Sequence, residues 1–137
     1  MDMLNLGRKV LASQPFSVLL GAELPDLSPG MAEIKVPIRP QLGQQHGFVH
    51  GGVVSYAADN ALTFAGGSIL GPAVVTSEFK INYARPARGD FLVARATVLH
   101  HGRRQAVCRC DVFASDEGAE VLCATAQGTV ARLSAPG

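Results

Sequence analysis

Residues 46–70 read HGFVHGGVVSYAADNALTFAGGSIL, and this stretch decides the fold. A histidine and two glycines, Gly51 and Gly52, lead into an apolar run in which Asp59 is the single charged side chain. Paired glycines before such a run predict a helix start at which backbone comes close to another group. The free N–H groups and the helix dipole there favour an oxyanion or a polarised carbonyl. The pattern indicates acyl-transfer chemistry.

The predicted helix, Gly51 to Leu70, is apolar almost all round, which is typical of a buried helix. A carboxylate inside such a helix is costly unless it is paired or functional. Helical spacing places five small or polar residues on one stripe, namely Gly52, Ser55, Asp59, Thr63 and Gly66. We interpret this stripe as the wall of a groove. The alternative is structural: Asp59 accepts hydrogen bonds from neighbouring strands, and the glycines allow close packing.

The flanking sequence predicts one helix, residues 3–13, and two strands, Phe16 to Leu24 and Gly30 to Ile38, before the long helix. Alternating side chains and short turns predict four antiparallel strands after it: Val74 to Arg85, Phe91 to His101, Gln105 to Ala114 and Val121 to Leu133. Because the buried helix has no polar side, the sheet must curl around it. We therefore expect a single α+β domain over residues 1–137, a curved antiparallel sheet of five to six strands wrapped around one long central helix.

Alternation in the first of these four strands places Ser77 on the inward face with Phe79 and Ile81. Its hydroxyl is therefore predicted to point toward Asp59. The structural alternative is that Ser77 bonds a nearby carbonyl, as strand serines commonly do.

The composition excludes several function classes. The chain has 137 residues, 47% of them apolar, with a formal charge of +1 and three cysteines. It has no basic tract for nucleic acid and no uninterrupted apolar span for a membrane. The cysteines are predicted to be core residues of a cytoplasmic protein. His46 and His50 have no Asp, Glu or Cys nearby to complete a metal site, so we expect no metal.

Several segments of the chain carry a family resemblance: Val49-His-Gly-Gly52, Asp59 nine residues after His50, Phe79-Lys-Ile-Asn-Tyr-Ala-Arg-Pro86, Gly89-Asp90, His101-Gly-Arg103 and Ala124-Thr-Ala-Gln-Gly-Thr-Val130. Through them the chain resembles the hotdog-fold acyl-CoA thioesterases of the phenylacetate-pathway (PaaI-like) group along nearly its whole length. The resemblance implies the hydrolysis of an aromatic or medium-chain acyl-CoA to a free acid and CoA. It implies no cofactor, since coenzyme A enters as part of the substrate.

The resemblance also assigns roles to residues. The Gly51 N–H would polarise the thioester carbonyl, Asp59 would act as general base or nucleophile, and Gln44 would assist. Ser77 or Thr63 would orient water. His50 either lines the site or holds the loop, and we favour the structural role. Other residues are candidates for substrate binding, the arginines through the CoA phosphates: Gly52, Arg85, Arg88, Arg103 and Arg104.

Helix geometry adds a constraint that does not depend on the family. Gly51 and Asp59 are eight residues apart, so one straight helix separates them by about 12 Å. A carboxylate cannot cross that distance to a carbonyl held at Gly51. We therefore predict a homodimer in which Gly51 and Gln44 of one chain meet Asp59 of the other, consistent with the family's composite sites. Such dimers are expected to pair into a homotetramer.

Two alternatives remain open at this stage. The first is a hotdog-fold hydratase or dehydratase acting on acyl-CoA or acyl-carrier protein. Such enzymes usually pair a catalytic histidine with an Asp or Glu, and His50 does not fit that pattern. The second is a non-catalytic module that binds acyl-CoA.

Overall fold

The computed structural model describes residues 2–134, which form a curved antiparallel sheet around a long helix. The helices are α1 (Met3–Ala12), α2 (Pro15–Leu20) and α3 (Gly51–Leu70), with a 3₁₀ turn at Pro40–Leu42. The strands are β1 (Glu23–Ser28), β2 (Met31–Pro37), β3 (Val74–Tyr83), β4 (Phe91–His101), β5 (Gln105–Asp116) and β6 (Ala119–Arg132). The predicted α+β class and hotdog architecture are confirmed, with six strands in the described part of the chain.

The strands are arranged in the order β1-β2-β4-β5-β6-β3, and every neighbouring pair is antiparallel. β5 and β6 form the predicted hairpin, in which Glu117 (φ 50°) and Gly118 (φ 85°) both adopt left-handed backbone. Two successive left-handed residues match the right-handed twist of the paired strands. The order leaves β3 on an edge, with β6 as its partner within the sheet.

The core lies between the concave face of the sheet and α3. Ala57, Ala61 and Leu62 of the helix are fully buried, as are Cys108 and Cys110 of β5. The strict alternation of β5 produces this burial, because every second side chain points to the same face. All three cysteines are free and buried, as predicted.

Burial also governs the chemistry of these thiols. It raises the pKa of Cys108 to about 11, and with the nearby Asp111 charge it raises that of Cys110 to about 12. Removal from water disfavours the thiolate. Both cysteines are therefore core residues with little reactivity at neutral pH.

The prediction of a strand from Phe16 to Leu24 is wrong. Residues 15–20 form α2, and the strand starts at Glu23. Pro15 at the start of the helix has a backbone angle suited to a first turn, and Gly21 (φ 71°) ends it in left-handed backbone. The buried residues Ser17 and Leu20 are three apart, which is helical spacing. A short apolar run cannot be assigned from its periodicity alone.

α3 packs closely on the sheet at its C-terminal half. A Cβ atom added to Gly66 would lie 2.8 Å from Cβ of Val130 on β6. This glycine therefore serves close packing, which is the structural alternative proposed for the stripe. The side chains of Ser55, Asp59 and Thr63 are half-buried, so the helix is less completely enclosed than its apolar sequence predicts. No helix within residues 2–134 has the length and hydropathy needed to cross a membrane.

Candidate active site

The first turn of α3 offers a backbone donor. His50 is the N-cap, and its Nδ1 accepts a hydrogen bond of 2.8 Å from the Gly52 N–H. Its carbonyl accepts from Val53 and Val54. The hydrogen bonds of residues 2–134 include no acceptor for the Gly51 N–H. A free amide at a helix N-terminus is suited to a developing negative charge, because the helix dipole adds to the hydrogen bond.

The loop before α3 places Gln44 beside this amide. The side-chain oxygen of Gln44 accepts from the backbone N–H groups of His46 and Phe48. The backbone N–H of Gln44 donates to the Phe48 carbonyl at 2.8 Å. A cleft of about 380 Å³ is lined by Gln44 and Gly51 together. The structure thus brings together these two predicted site residues, and the Gln44 side-chain NH₂ has no acceptor among the described residues.

Tyr83, at the end of β3, is a functional candidate that the sequence analysis missed. Its hydroxyl donates to the Gly51 carbonyl at 3.0 Å and lies 2.7 Å from the Ser55 hydroxyl. It also lines the same cleft. Tyr83 continues the alternation of Phe79 and Ile81, which places it on the same face of β3, but sequence does not show that its hydroxyl reaches the first turn.

The carboxylate of Asp59 lies at the middle of α3, against β3. Its Oδ1 accepts a hydrogen bond of 2.6 Å from the Thr76 hydroxyl. The Thr63 hydroxyl donates to the Asp59 main-chain oxygen at 2.7 Å and lies 2.8 Å from the Thr76 hydroxyl. Within residues 2–134 the second oxygen, Oδ2, has no partner. Thr76 therefore holds one carboxylate oxygen, Thr63 lies against Thr76, and the other carboxylate oxygen is left available.

The prediction that Ser77 points toward Asp59 is wrong. Ser77 is exposed, and its hydroxyl donates to the Thr129 carbonyl at 3.2 Å. The register of β3 against β6 shifts between Thr76 and Glu78. A bulge of this kind adds one residue and reverses the alternation beyond it. Thr76 therefore takes the inward position before the bulge, while Phe79 and Ile81 keep theirs after it.

Gly51 and Asp59 lie on one continuous helix. Eight residue steps separate them by about 12 Å along the axis. The described chain therefore holds two half-sites: the Gly51 half-site, made of Gly51, Gln44 and Tyr83, and the Asp59 half-site, made of Asp59, Thr76 and Thr63. Neither contains both a carbonyl-polarising donor and a free carboxylate.

The four predicted arginines divide into two pairs. Arg85 and Arg88 line a cavity of about 510 Å³ next to the Gly51 half-site, and Arg85 also lines the 380 Å³ cleft. Arg103 and Arg104 lie on the turn between β4 and β5. Arg85 and Arg88 lie in the connection between β3 and β4. This connection and the β4–β5 turn are at opposite ends of β5, roughly 36 Å apart along the strand. Within one chain, a ligand at the Gly51 half-site meets the first pair only.

Two further predicted features can be placed. Gly52 is exposed at the first turn of α3, where its N–H is used by His50. As the N-cap of α3, His50 has a structural role, which is the role we favoured. A catalytic role for His50 stays a prediction. Within residues 2–134 no three His, Cys, Asp or Glu side chains are grouped closely enough to hold a metal ion.

Comparison with known proteins adds independent findings. A family model described as the thioesterase superfamily matches residues 46–121, which include every residue of the two half-sites except Gln44. The acyl-coenzyme A thioesterase PaaI of Escherichia coli is 34% identical over 89 residues, 64% of this chain and 63% of that protein.

Solved structures agree with this match. A thioesterase family protein from Silicibacter pomeroyi superposes with a TM-score of 0.91 at 36% identity, covering 96% of this chain and 98% of that one. A conserved protein from Pseudomonas aeruginosa superposes with a TM-score of 0.81 at 33% identity, covering 91% and 98%.

Proposed function

The chain belongs to the thioesterase superfamily, and on this basis we propose that it hydrolyses acyl-CoA thioesters to a free acid and coenzyme A. One observation carries the proposal: within residues 2–134, a single helix presents an N-terminal amide without an acceptor and, two turns on, a carboxylate with a free oxygen. Thioester hydrolysis needs these two groups, one to stabilise an oxyanion and one to activate water.

The chemistry follows from these groups. The Gly51 N–H donates to the thioester oxygen as it becomes negative, a contribution of roughly 3–4 kcal/mol for one donor. Asp59 takes a proton from water while the water oxygen bonds to the carbonyl carbon. The tetrahedral intermediate then collapses, the C–S bond breaks, and CoA leaves as a thiolate. Because a thiol is acidic enough to leave as its anion, no general acid is required.

A second route uses the same residues. Asp59 attacks the carbonyl carbon directly, CoA leaves, and water hydrolyses the resulting anhydride. Both routes need the free Oδ2 of Asp59. The Thr76 hydroxyl supports either, because it holds the other oxygen at 2.6 Å and so fixes the carboxylate plane.

The complete site requires two chains. Since about 12 Å separates Gly51 from Asp59 along α3, a thioester bound at Gly51 must be attacked by Asp59 of a second copy. The edge strand β3 supports this assembly, because its outer side has unpaired backbone groups and it carries Thr76 and Tyr83 of the two half-sites. The resulting homodimer would contain two equivalent sites. Pairing of dimers into a tetramer stays a prediction.

The first experiment measures thiol release from a panel of aryl- and alkyl-acyl-CoAs. We expect turnover with at least one of them and no hydration of the corresponding enoyl-CoA. Enoyl hydration without thiol release would identify a hydratase. Binding of acyl-CoA that persists in Asp59→Ala, with turnover by neither protein, would identify a binding module. Either of these results would contradict the proposal.

Mixing two inactive variants tests the composite site. Gly51→Pro removes the Gly51 donor, and Asp59→Ala removes the carboxylate. In a co-expressed heterodimer, one of the two sites receives both defects and the other receives neither. Random pairing should therefore restore about a quarter of wild-type activity. Each variant expressed alone is the control. If verified heterodimers show no recovery, the site is contained in one chain.

A further inference from the structure

An apolar depression beside α3 lies against the Asp59 half-site. It is a groove of about 710 Å³ between α1 and α3, a volume within the usual range of ligand pockets. One wall is a stripe of α1 and the other a stripe of α3. Leu6 and Val10 of α1 and the following Gln14 lie on the first side, and Asn60 and Thr63 of α3 and the following Gly71 lie on the second.

The two helices run antiparallel along the groove, and its polarity changes from one end to the other. Gln14 bonds the Asn60 side chain at 3.2 Å, while Gly7 lies against the Phe64 ring further along. The end near Asp59 is therefore polar. The far end is apolar and is completed by Pro72 and Val74.

The polar end is rigidly built. The Tyr56 hydroxyl donates to the buried Ser17 at 2.6 Å, and Ser17 donates to Gln14 at 2.6 Å. Asn60 donates to the Tyr56 oxygen at 3.0 Å. Burial raises the pKa of Tyr56, so its hydroxyl stays protonated at neutral pH. This network joins α2 and its N-cap Gln14 to α3 and fixes the polar end of the groove.

The groove meets the Asp59 half-site at Thr63. Thr63 lines the groove and also contacts Thr76 and the Asp59 main chain. Two apolar side chains at the rim are exposed to solvent. The exposed fraction is 52% for Leu6 and 39% for Val10. A ligand that passes Asp59 with an apolar tail would cover them.

We propose, building on the proposed thioesterase function, that this groove binds the acyl tail of a straight-chain acyl-CoA. The tail runs from Asp59 toward the C-terminal end of α3, while the CoA part extends toward Gly51, Arg85 and Arg88 of the second chain. The enzyme then prefers medium-length aliphatic thioesters to small aryl ones.

The length of the groove sets the expected chain. From Asn60 to Gly71 the wall spans about 16 Å. An extended chain advances about 1.2 Å per bond, as a polypeptide does over three bonds per residue. The groove therefore takes roughly a dozen carbons. Each methylene that it buries should raise kcat/KM by up to about fourfold, until the groove is filled.

The test compares two tryptophan variants on the same helix. Val10→Trp places a large side chain at the rim of the groove, and Lys9→Trp places it at an exposed position of α1 outside the groove. Thiol release is measured with butyryl-, octanoyl- and dodecanoyl-CoA, and circular dichroism and thermal unfolding verify the fold. We expect Val10→Trp to lower the dodecanoyl-to-butyryl ratio of kcat/KM at least tenfold. Lys9→Trp should leave the ratio unchanged. Leu6→Trp, at a still more exposed position, is the second variant if Val10→Trp unfolds.

The outcomes separate this inference from the function itself. The tail site is wrong if wild-type turnover does not rise with the length of the acyl chain. It is also wrong if the dodecanoyl-to-butyryl ratio of kcat/KM is unchanged in both Val10→Trp and Leu6→Trp. Either result leaves the thioesterase activity itself intact. Absence of turnover on every thioester overturns the proposed function. If the variants change the mass of the assembly but not the ratio, the groove is an interface between copies, and the tail site is wrong.

Discussion

The two half-sites of α3 differ in almost every physical respect. The Gly51 half-site uses a backbone amide, lies beside a polar loop and has two arginines nearby. The Asp59 half-site uses a carboxylate held by Thr76, and its Thr63 also lines an apolar groove. The first is suited to the oxyanion and the charged leaving group, and the second to water and the acyl tail. An acyl-CoA thioester has the same division, with the charged CoA at one end and an apolar acyl group at the other.

The contrast also explains how one helix can supply both groups. An amide without an acceptor exists only in the first turn, because later N–H groups bond the carbonyl four residues before them. A carboxylate inside the helix needs a partner in an adjacent element, and Thr76 of β3 provides it. Each half-site is placed where helix geometry permits it, and in the proposed dimer a second copy brings the two together.

Of the changes that test this contrast between the half-sites, removing the Asp59 carboxylate should cause the largest loss of kcat. We expect Asp59→Ala and Asp59→Asn to lose at least two orders of magnitude in kcat, roughly 10² to 10⁴, because no other described group near Thr76 can activate water. Steady-state thiol release measures the loss. Unfolding temperature and the mass of the assembly are checked in parallel, since an unfolded variant would give the same loss. A folded Asp59→Ala with wild-type turnover would eliminate this residue as the catalytic group.

Removing the donor at the other half-site should have the next largest effect. Gly51→Pro deletes one N–H, and proline suits the first position of a helix. His50 already has the extended backbone that precedes proline (ψ 134°). We expect kcat to fall roughly 10²- to 10³-fold, as for other oxyanion donors.

Gly51→Ala is the matched control. It keeps the N–H, and its Cβ would make an ordinary contact 3.5 Å from the Tyr83 ring. The two variants are compared by kcat in the same thiol-release assay. Equal losses in both would show that the side-chain space, and not the amide, matters at this position.

The smallest expected loss of kcat comes from changes at Thr76 and Ser77, which test the position of the bulge in β3. Thr76→Val removes the hydroxyl that bonds Asp59, and a hydrogen bond to a charged group supports roughly a tenfold loss in kcat. Thr76→Ser should recover most of it, because the hydroxyl is kept. Ser77→Ala, one residue further on, should change kcat by less than about twofold, since its hydroxyl bonds Thr129. The reverse order of effects would restore the original assignment of Ser77.

Sequence reasoning succeeded where a pattern is long and local. The run from Gly51 to Leu70 predicted α3 to the residue, and the three cysteines are buried in the core as predicted. The lone Asp59 was correctly identified as needing a partner. Prediction failed for α2, because a run of six mostly apolar residues does not distinguish a helix from a strand. It failed for Ser77 and Thr76, because a single bulged residue reverses inside and outside without a sequence signal.

The sequence alone determined the long buried helix, the antiparallel strands that follow it, and the presence of an amide and a carboxylate about 12 Å apart, since these depend on residue spacing and on the fixed rise of a helix. Tertiary structure alone decided which hydroxyl holds Asp59, that Tyr83 bonds the first turn of α3, and that α1 lies beside α3 to form a groove. Those contacts join residues far apart in the chain. They depend on register and packing, which are properties of the folded whole.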